Sequence, residues 1–155
     1  MNPWRATWLV WKKDLRVELR SREILVTTGF FSVLVAVLAS LAFHVDELRA
    51  ARLAPGVLWI AITFSGVLAM GRTWSREREH EVIRGLLLSP LPRPAIYLGK
   101  TAAVATFMTA VQVLLVPVVA VLFHLDLLAV LGPLCALLLL GTIGFAAAGT
   151  LFASM

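Results

Sequence analysis

The residues of this chain best suited to chemistry are concentrated in one stretch, Arg72 to Lys100. From Arg76 to Arg84 it holds seven ionisable side chains in nine positions (Arg76, Glu77, Arg78, Glu79, His80, Glu81 and Arg84), followed at once by Leu86, Leu87 and Leu88. Val82, Ile83, Leu86 and Leu87 fall on one face at helical spacing, with Glu77, Arg78, Glu81 and Arg84 turned outward. A short mixed-charge helix with an apolar edge offers the chemistry of docking rather than of reaction, and it suits a soluble partner. Ser89-Pro90 ends that helix, and Pro90, Pro92 and Pro94 predict a stiff extended connector after it. Elsewhere reactive groups are sparse. Cys135 is the one cysteine, which removes disulfides, cysteine-based zinc sites and iron–sulfur ligation together.

The elements that must hold this segment are membrane helices. Of 155 residues, 60% are hydrophobic and 15% charged, with a net charge of +5, whereas a soluble domain carries about a quarter charged residues. Four apolar runs, about 24–43, 53–71, 101–123 and 127–152, are each long enough to cross a hydrocarbon layer of roughly 30 Å at 1.5 Å per residue. The first run also resembles a signal peptide in having Ser40 and Ala42 near its end, but it exceeds an h-region and three more spans follow. An all-α polytopic membrane protein is therefore predicted, with 24–155 as its transmembrane domain and 72–100 as a connecting loop. Six Lys or Arg precede the first span and six lie in 72–100, against only Arg49 and Arg52 in the other links. That asymmetry puts the N-terminus and the 72–100 loop in the cytoplasm. The basic charge is thereby used in orientation, and nucleic acid is excluded as a partner.

Residues 1–23 predict a helix of their own. Trp4, Trp8, Trp11, Leu15 and Leu19 form one stripe, and Arg5, Lys12, Lys13, Asp14, Arg16 and Glu18 occupy the other faces. Tryptophan favours the headgroup layer and cations favour anionic lipid, so this helix is expected to lie in the cytoplasmic interface, with Trp74 as a further anchor. No Asp, Glu, Lys or Arg falls within a span, which argues against proton relays and ion-coupled pumps. Thr63, Thr106, Thr109 and Gln112 are expected to bond neighbouring helices or their own backbone. Gly141, Gly144 and Ala148, with Gly56 and Gly66, predict close helix packing, and Met70 and Met108 are packing or lipid-facing residues. Pro117 is expected to kink the third span, and Pro55 and Pro133 lie near helix starts.

Several motifs resemble haem exporter protein B, the permease family of the cytochrome c maturation ABC system. They are Leu53-Ala54-Pro55-Gly56-Val57-Leu58-Trp59, Glu77-Arg78-Glu79 followed by Gly85-Leu86-Leu87-Leu88-Ser89-Pro90, and Ala95-Ile96-Tyr97-Leu98-Gly99-Lys100. Lys13, Asp14, Leu15, Glu18 and Arg20 near the N-terminus are similar to that family as well. The resemblance implies six spans, so four are expected to represent a C-terminally truncated chain. It also implies a homodimeric permease of the bacterial inner membrane that pairs with a cytoplasmic ABC ATPase and a haem-handling membrane subunit, and that serves a haem chaperone. The 77–88 segment would then be a coupling helix, with Glu77, Glu79, Glu81 and Arg84 as charged contacts and Leu86 and Leu87 as packing. No catalytic residue, metal site or tightly bound cofactor is expected in this chain. Haem is the expected cargo, and His44 and His124, both at outer span ends, are the candidate axial ligands. Two other readings share the same loop: an ABC-2 permease for a lipid, polysaccharide or drug, and a non-transporting scaffold that an ATPase remodels to release a loaded chaperone.

Overall fold

The first helix, α1 (Pro3–Ser21), starts at a proline whose missing N–H would have found no partner in the first turn anyway. It ends at Arg22 in the left-handed region (φ 53°), whose N–H bonds to the Glu18 carbonyl at 2.6 Å. The chain turns there with no spacer and enters α2 (Glu23–Ala42). The computed structural model describes residues 2–42, 47–79, 92–125 and 127–153, and its remaining helices are α3 (Glu47–Glu79), α4 (Arg93–Leu122) and α5 (Leu127–Ala153). Among the described residues four of the five helices, α2 to α5, are long and apolar enough to cross a membrane, and no strand occurs. The chain is an all-α polytopic membrane protein.

Two helices outgrow their expected lengths. The lead-in 47–52 contains Glu, Leu, Arg and Ala, all good helix formers, with no breaker before Leu53. Helix α3 consequently starts at Glu47 and places Pro55 in its interior, not near its start. At the other end α3 continues past Gly71 as far as Glu79. Helix α4 begins at Arg93 rather than near Thr101, so Pro94 belongs to its first turn and not to an extended connector. Pro92 alone keeps the extended geometry, as the N-cap (φ −64°, ψ 131°). The cause is again positional: proline is costly inside a helix but fits the first turn. Pro117 and Pro133 lie within continuous α4 and α5.

Cross-helix contacts fix the directions. Glu23–Arg72 and Ser32–Ser65 pair opposite ends of α2 and α3, so these helices are antiparallel. Tyr97–Ala147 and Gln112–Thr142 do the same for α4 and α5. Between α3 and α5 the numbers rise together, Trp59 on Gly141, Gly66 on Phe145 and Met70 on Gly149, so these two are parallel. Such alternation is what four consecutive crossings require. Helix α4 is the hub, packing on α1, α2, α3 and α5, and its Val104, Met108, Leu115 and Val119 are buried among Ala36, Leu58, Ala61, Ile62, Leu138 and Ala146.

Lipid tails are as apolar as leucine, so hydrophobic burial gives these helices little reason to associate, and close packing must do it instead. Glycine permits that at three places between α3 and α5. A methyl group at Gly66 would lie 2.5 Å from Phe145 Cε1 and 2.8 Å from Met108 Cε. At Gly141 it would lie 2.9 Å from Trp59 Cζ3, and at Gly149 it would collide with the Met70 thioether. Met70 and Met108 are thus buried packing residues. The expected small-residue face is corrected in part. Gly144 and Gly56 have open space where a Cβ would be, and Ala148 is exposed, because these positions point away from the helices that Gly141, Gly149 and Gly66 meet.

Candidate functional site

The ends of α3 and α4 flank the charged segment singled out by the sequence. Glu77 and Glu79 belong to the last turn of α3, on its backbone, and their side chains lie outside the described residues, as does that of Trp74. Glu81, Arg84, Leu86 and Leu87 also lie outside the described residues. The segment therefore leaves directly from α3 and re-enters at Pro92, where Ala95 N–H closes the first turn of α4 onto the Pro92 carbonyl at 2.9 Å. Residues 80–91 are thus flanked by a described helix on each side.

The first two turns of α4 are held by both α1 and α5. Ala95 is buried, and Tyr97 Oη donates to the Ala147 carbonyl on α5 at 2.8 Å. Gly99 lies against α1 so closely that a methyl group there would sit 2.7 Å from Val10 Cβ and 2.9 Å from the Thr7 carbonyl oxygen. Lys100 is only 5% exposed, and Leu98 alone of this set faces outward. The Ala95-Ile96-Tyr97-Leu98-Gly99-Lys100 motif thus acts as a junction of three helices. A pattern noticed as a resemblance has a packing reason at nearly every position.

The other partner in that junction is α1. Ala6, Val10 and Glu18 form its buried edge, Trp11 is half-buried, and Trp4 (77% exposed) and Trp8 (57% exposed) turn away from the bundle. Trp11 Nε1–H donates to Thr106 Oγ1 on α4 at 3.1 Å, while Thr106 itself donates to the Ala102 carbonyl at 2.7 Å. Trp8 and Trp11 stay in ring contact, with centroids 4.6 Å apart. The tryptophan stripe is thus split: Trp11 joins the protein, and Trp4 and Trp8 remain on the free face beside Arg5, Lys12 and Arg16, which are also exposed.

Glu18 departs from the expectation that it lies on an outward polar face. It is 1% exposed, and its Oε1 accepts the backbone N–H of Leu25 at 2.9 Å. The first N–H groups of any helix lack intrahelical acceptors, and the turn at Arg22 brings Glu18 over the start of α2, where a carboxylate satisfies one of them and also faces the positive end of the helix dipole. Asp14, assigned to the same outward set, is largely buried too and pairs with Lys13 at 2.8 Å. Nearby, the exposed Arg72 Nη1–Glu23 Oε1 pair at 2.8 Å ties α3 to the first residue of α2. Sequence periodicity missed Glu18, Lys100 and the Trp11–Thr106 bond. The available signal was a glutamate five residues before a helix that has no Ser, Thr, Asp or Asn at its N-cap position.

Deeper in the bundle the polar side chains behave as expected, bonding neighbours or their own helix. Thr63 and Thr109 donate to the carbonyls four residues back, both at 2.8 Å. Gln112 Nε2 donates to Thr142 Oγ1 at 2.6 Å. The Ser32–Ser65 hydrogen bond, which periodicity did not identify, joins α2 to α3. A crevice of about 320 Å³ opens between α4 and α5, lined almost wholly by apolar groups such as Val113, Val116, Leu134 and Leu139 and by Pro117 and Cys135.

Of the two candidate haem ligands, one falls on a described residue. His124 is exposed, in the left-handed region (φ 51°) at the turn after α4, and His44 lies outside the described residues. Among the described residues no three His, Cys, Asp or Glu side chains gather as a metal ion would require.

Residues 5–155 match the family described as CcmB protein. The chain is 31% identical over 96 residues to heme exporter protein B of Escherichia coli strain K12, covering 62% of this chain and 44% of that protein. It is 27% identical over 115 residues to heme exporter protein B of Haemophilus influenzae, covering 74% of this chain and 52% of that protein. The chain spans about half the length of the curated relatives it matches. No solved structure matches it.

Proposed function

Because the chain belongs to the CcmB protein family, we propose that it is the permease subunit of an ABC system for haem export and delivery in c-type cytochrome maturation. Two relatives named heme exporter protein B point to the substrate. The observation that carries the mechanical part is the junction at the start of α4: the charged segment is held between two helix ends, one of them clamped to α1, α5 and the bundle core. In this reading a cytoplasmic ATPase performs the hydrolysis and seats on 77–88 through Glu77, Glu79, Glu81 and Arg84, with Leu86 and Leu87 packed beneath. Nucleotide shifts the membrane helices only through contacts that differ between its two states, and this segment supplies them. The chain sits in the bacterial inner membrane with its N-terminus in the cytoplasm, as a homodimer beside a haem-handling subunit. Exposed Trp4 and Trp8, with Trp74, anchor it at headgroup level, and Trp11 contributes through its contact with α4.

A second reading has its own support. The polar side chains deep in the bundle are already engaged, Thr63 and Thr109 with their own helix and Gln112 with Thr142. A porphyrin propionate crossing among these side chains would have to compete with their existing bonds for a partner. The subunit then acts as a scaffold that the ATPase remodels, releasing a loaded haem chaperone with no haem passing through. The deciding experiment is complementation of a cytochrome c maturation defect, paired with ATPase co-purification. Charge reversal at Glu79 and Glu81 is expected to abolish both, with the chain still inserted. Retained co-purification would remove 77–88 as the docking site, and complementation of a defect in export of a lipid, polysaccharide or drug instead would assign another ABC-2 substrate.

A further inference from the structure

We infer that α1 is a strap through which displacement at the start of α4 reaches the start of α2. The inference deepens the proposed coupling role and rests on it for the origin of the displacement.

Three contacts define the strap. At Gly99 the backbones of α1 and α4 approach until no side chain fits between them, with Val10 Cβ and the Thr7 carbonyl against the glycine. Further along α4, Trp11 donates to Thr106. At the far end of α1, Glu18 holds the Leu25 N–H of α2, across the Arg22 turn that contains no spacer. Between these ends α1 is a continuous helix of 19 residues, about 28 Å at the usual rise. Helix α1 packs far more extensively on α4 than on α2, so it moves with α4 and addresses α2 at one end. Helix α4 also packs on α2 directly. The strap is made of a backbone-close crossing and directional bonds, which transmit a shift instead of absorbing it. Gly99, Trp11, Thr106 and Glu18 are positioning residues in this device. None of them needs to touch the ATPase or the cargo.

The test uses the full-length chain in its assembled membrane complex. Thr106→Val and Trp11→Phe each remove one hydrogen bond while keeping volume, and each is expected to lower cytochrome c matured per ATP hydrolysed by about fivefold, the ratio that one such bond carries. ATPase co-purification and hydrolysis rate are expected to hold. Thr106→Ser keeps the acceptor and is expected to restore the yield, and Glu18→Gln is expected to retain what Glu18→Ala loses. Yield and hydrolysis falling together with the amount of complex would reduce these residues to structural support and overturn the inference, as would no change at all. A second measurement separates this from the docking proposal. Spin labels at Lys12→Cys on α1 and Leu98→Cys on α4, in a Cys135→Ser background, are expected to give one narrow distance that broadens in the Trp11→Phe/Thr106→Val double variant. A wild-type complex that fails to retain an ATPase would defeat the docking proposal, with the label distance still deciding the strap. A distance unchanged in the double variant, or one that splits in the wild type on nucleotide addition, would overturn it.

Discussion

The junction of α1, α4 and α2 and the seam between α3 and α5 are both tight, but they are tight for different reasons. At the junction, directional bonds do the holding, Trp11 to Thr106 and Glu18 to the Leu25 N–H, with Lys100 enclosed beside Gly99. At the seam no hydrogen bond is needed, and large side chains sit on glycines: Trp59 on Gly141, Phe145 on Gly66, Met70 on Gly149. The junction belongs to the polar end, where charged groups are tolerated and a bond has one correct length. The seam runs along two spans, from Trp59 on Gly141 to Met70 on Gly149, where contact area is the main source of attraction. A region built of directional bonds shifts as a unit, and one built of contacts repacks. That difference is why the junction, not the seam, is suited to passing on a displacement.

The largest effect that would break this contrast is expected at the seam. Gly141→Leu drives a branched side chain into the Trp59 ring and is expected to destabilise by about 3 kcal/mol, the upper range for overpacking, measured as thermal denaturation in detergent, with a smaller loss for Gly149→Leu, whose neighbour is the flexible Met70 thioether. Gly144→Leu, which meets open space, is expected to leave the midpoint in place. Equal effects at Gly144 and Gly141 would remove the glycine seam as a determinant. Next in size is Glu18→Ala at the junction, expected to cost about 2 kcal/mol because it leaves a helix-start N–H without its acceptor. Hydrogen exchange at Leu25 should rise with it and stay slow in Glu18→Gln. Gln112→Leu is expected to cost about 1 kcal/mol, since Thr142 keeps its bond to the Leu138 carbonyl. A double-variant cycle with Thr142→Val isolates that pair. Smallest is Arg72→Gln: both partners of this ion pair are about half exposed, so solvent screening leaves a change within about 0.5 kcal/mol.

Much of this architecture was legible from residue order. The absence of charges over about twenty residues located each span, because hydrocarbon excludes charge whatever the tertiary contacts are. Helix ends were less legible. The good helix formers of 47–52 extended α3 backwards past Leu53, and Pro94 proved compatible with a first turn, so the expected loop lost residues at both ends. On α1, periodicity identified the tryptophan stripe but assigned Glu18 to the wrong environment. An amphipathic wheel records which residues differ in polarity, and a carboxylate reads as outward on it. Only the turn at Arg22, which brings the start of α2 beside Glu18, made burial favourable by supplying an N–H.

By itself the sequence determined that this chain is helical, crosses a membrane with α2 to α5 as candidate spans, and belongs among proteins resembling haem exporter protein B, because apolar run length and motif order are properties of the chain alone. The tertiary structure decided which glycines are contacts and which are open, that Trp11 serves the protein while Trp4 and Trp8 do not, and that Glu18 and Lys100 are interior. Those outcomes depend on helix rotation and crossing, set by close approach between residues as far apart in sequence as Val10 and Gly99. No local pattern records such an approach, since it costs or gains nothing until the two helices meet.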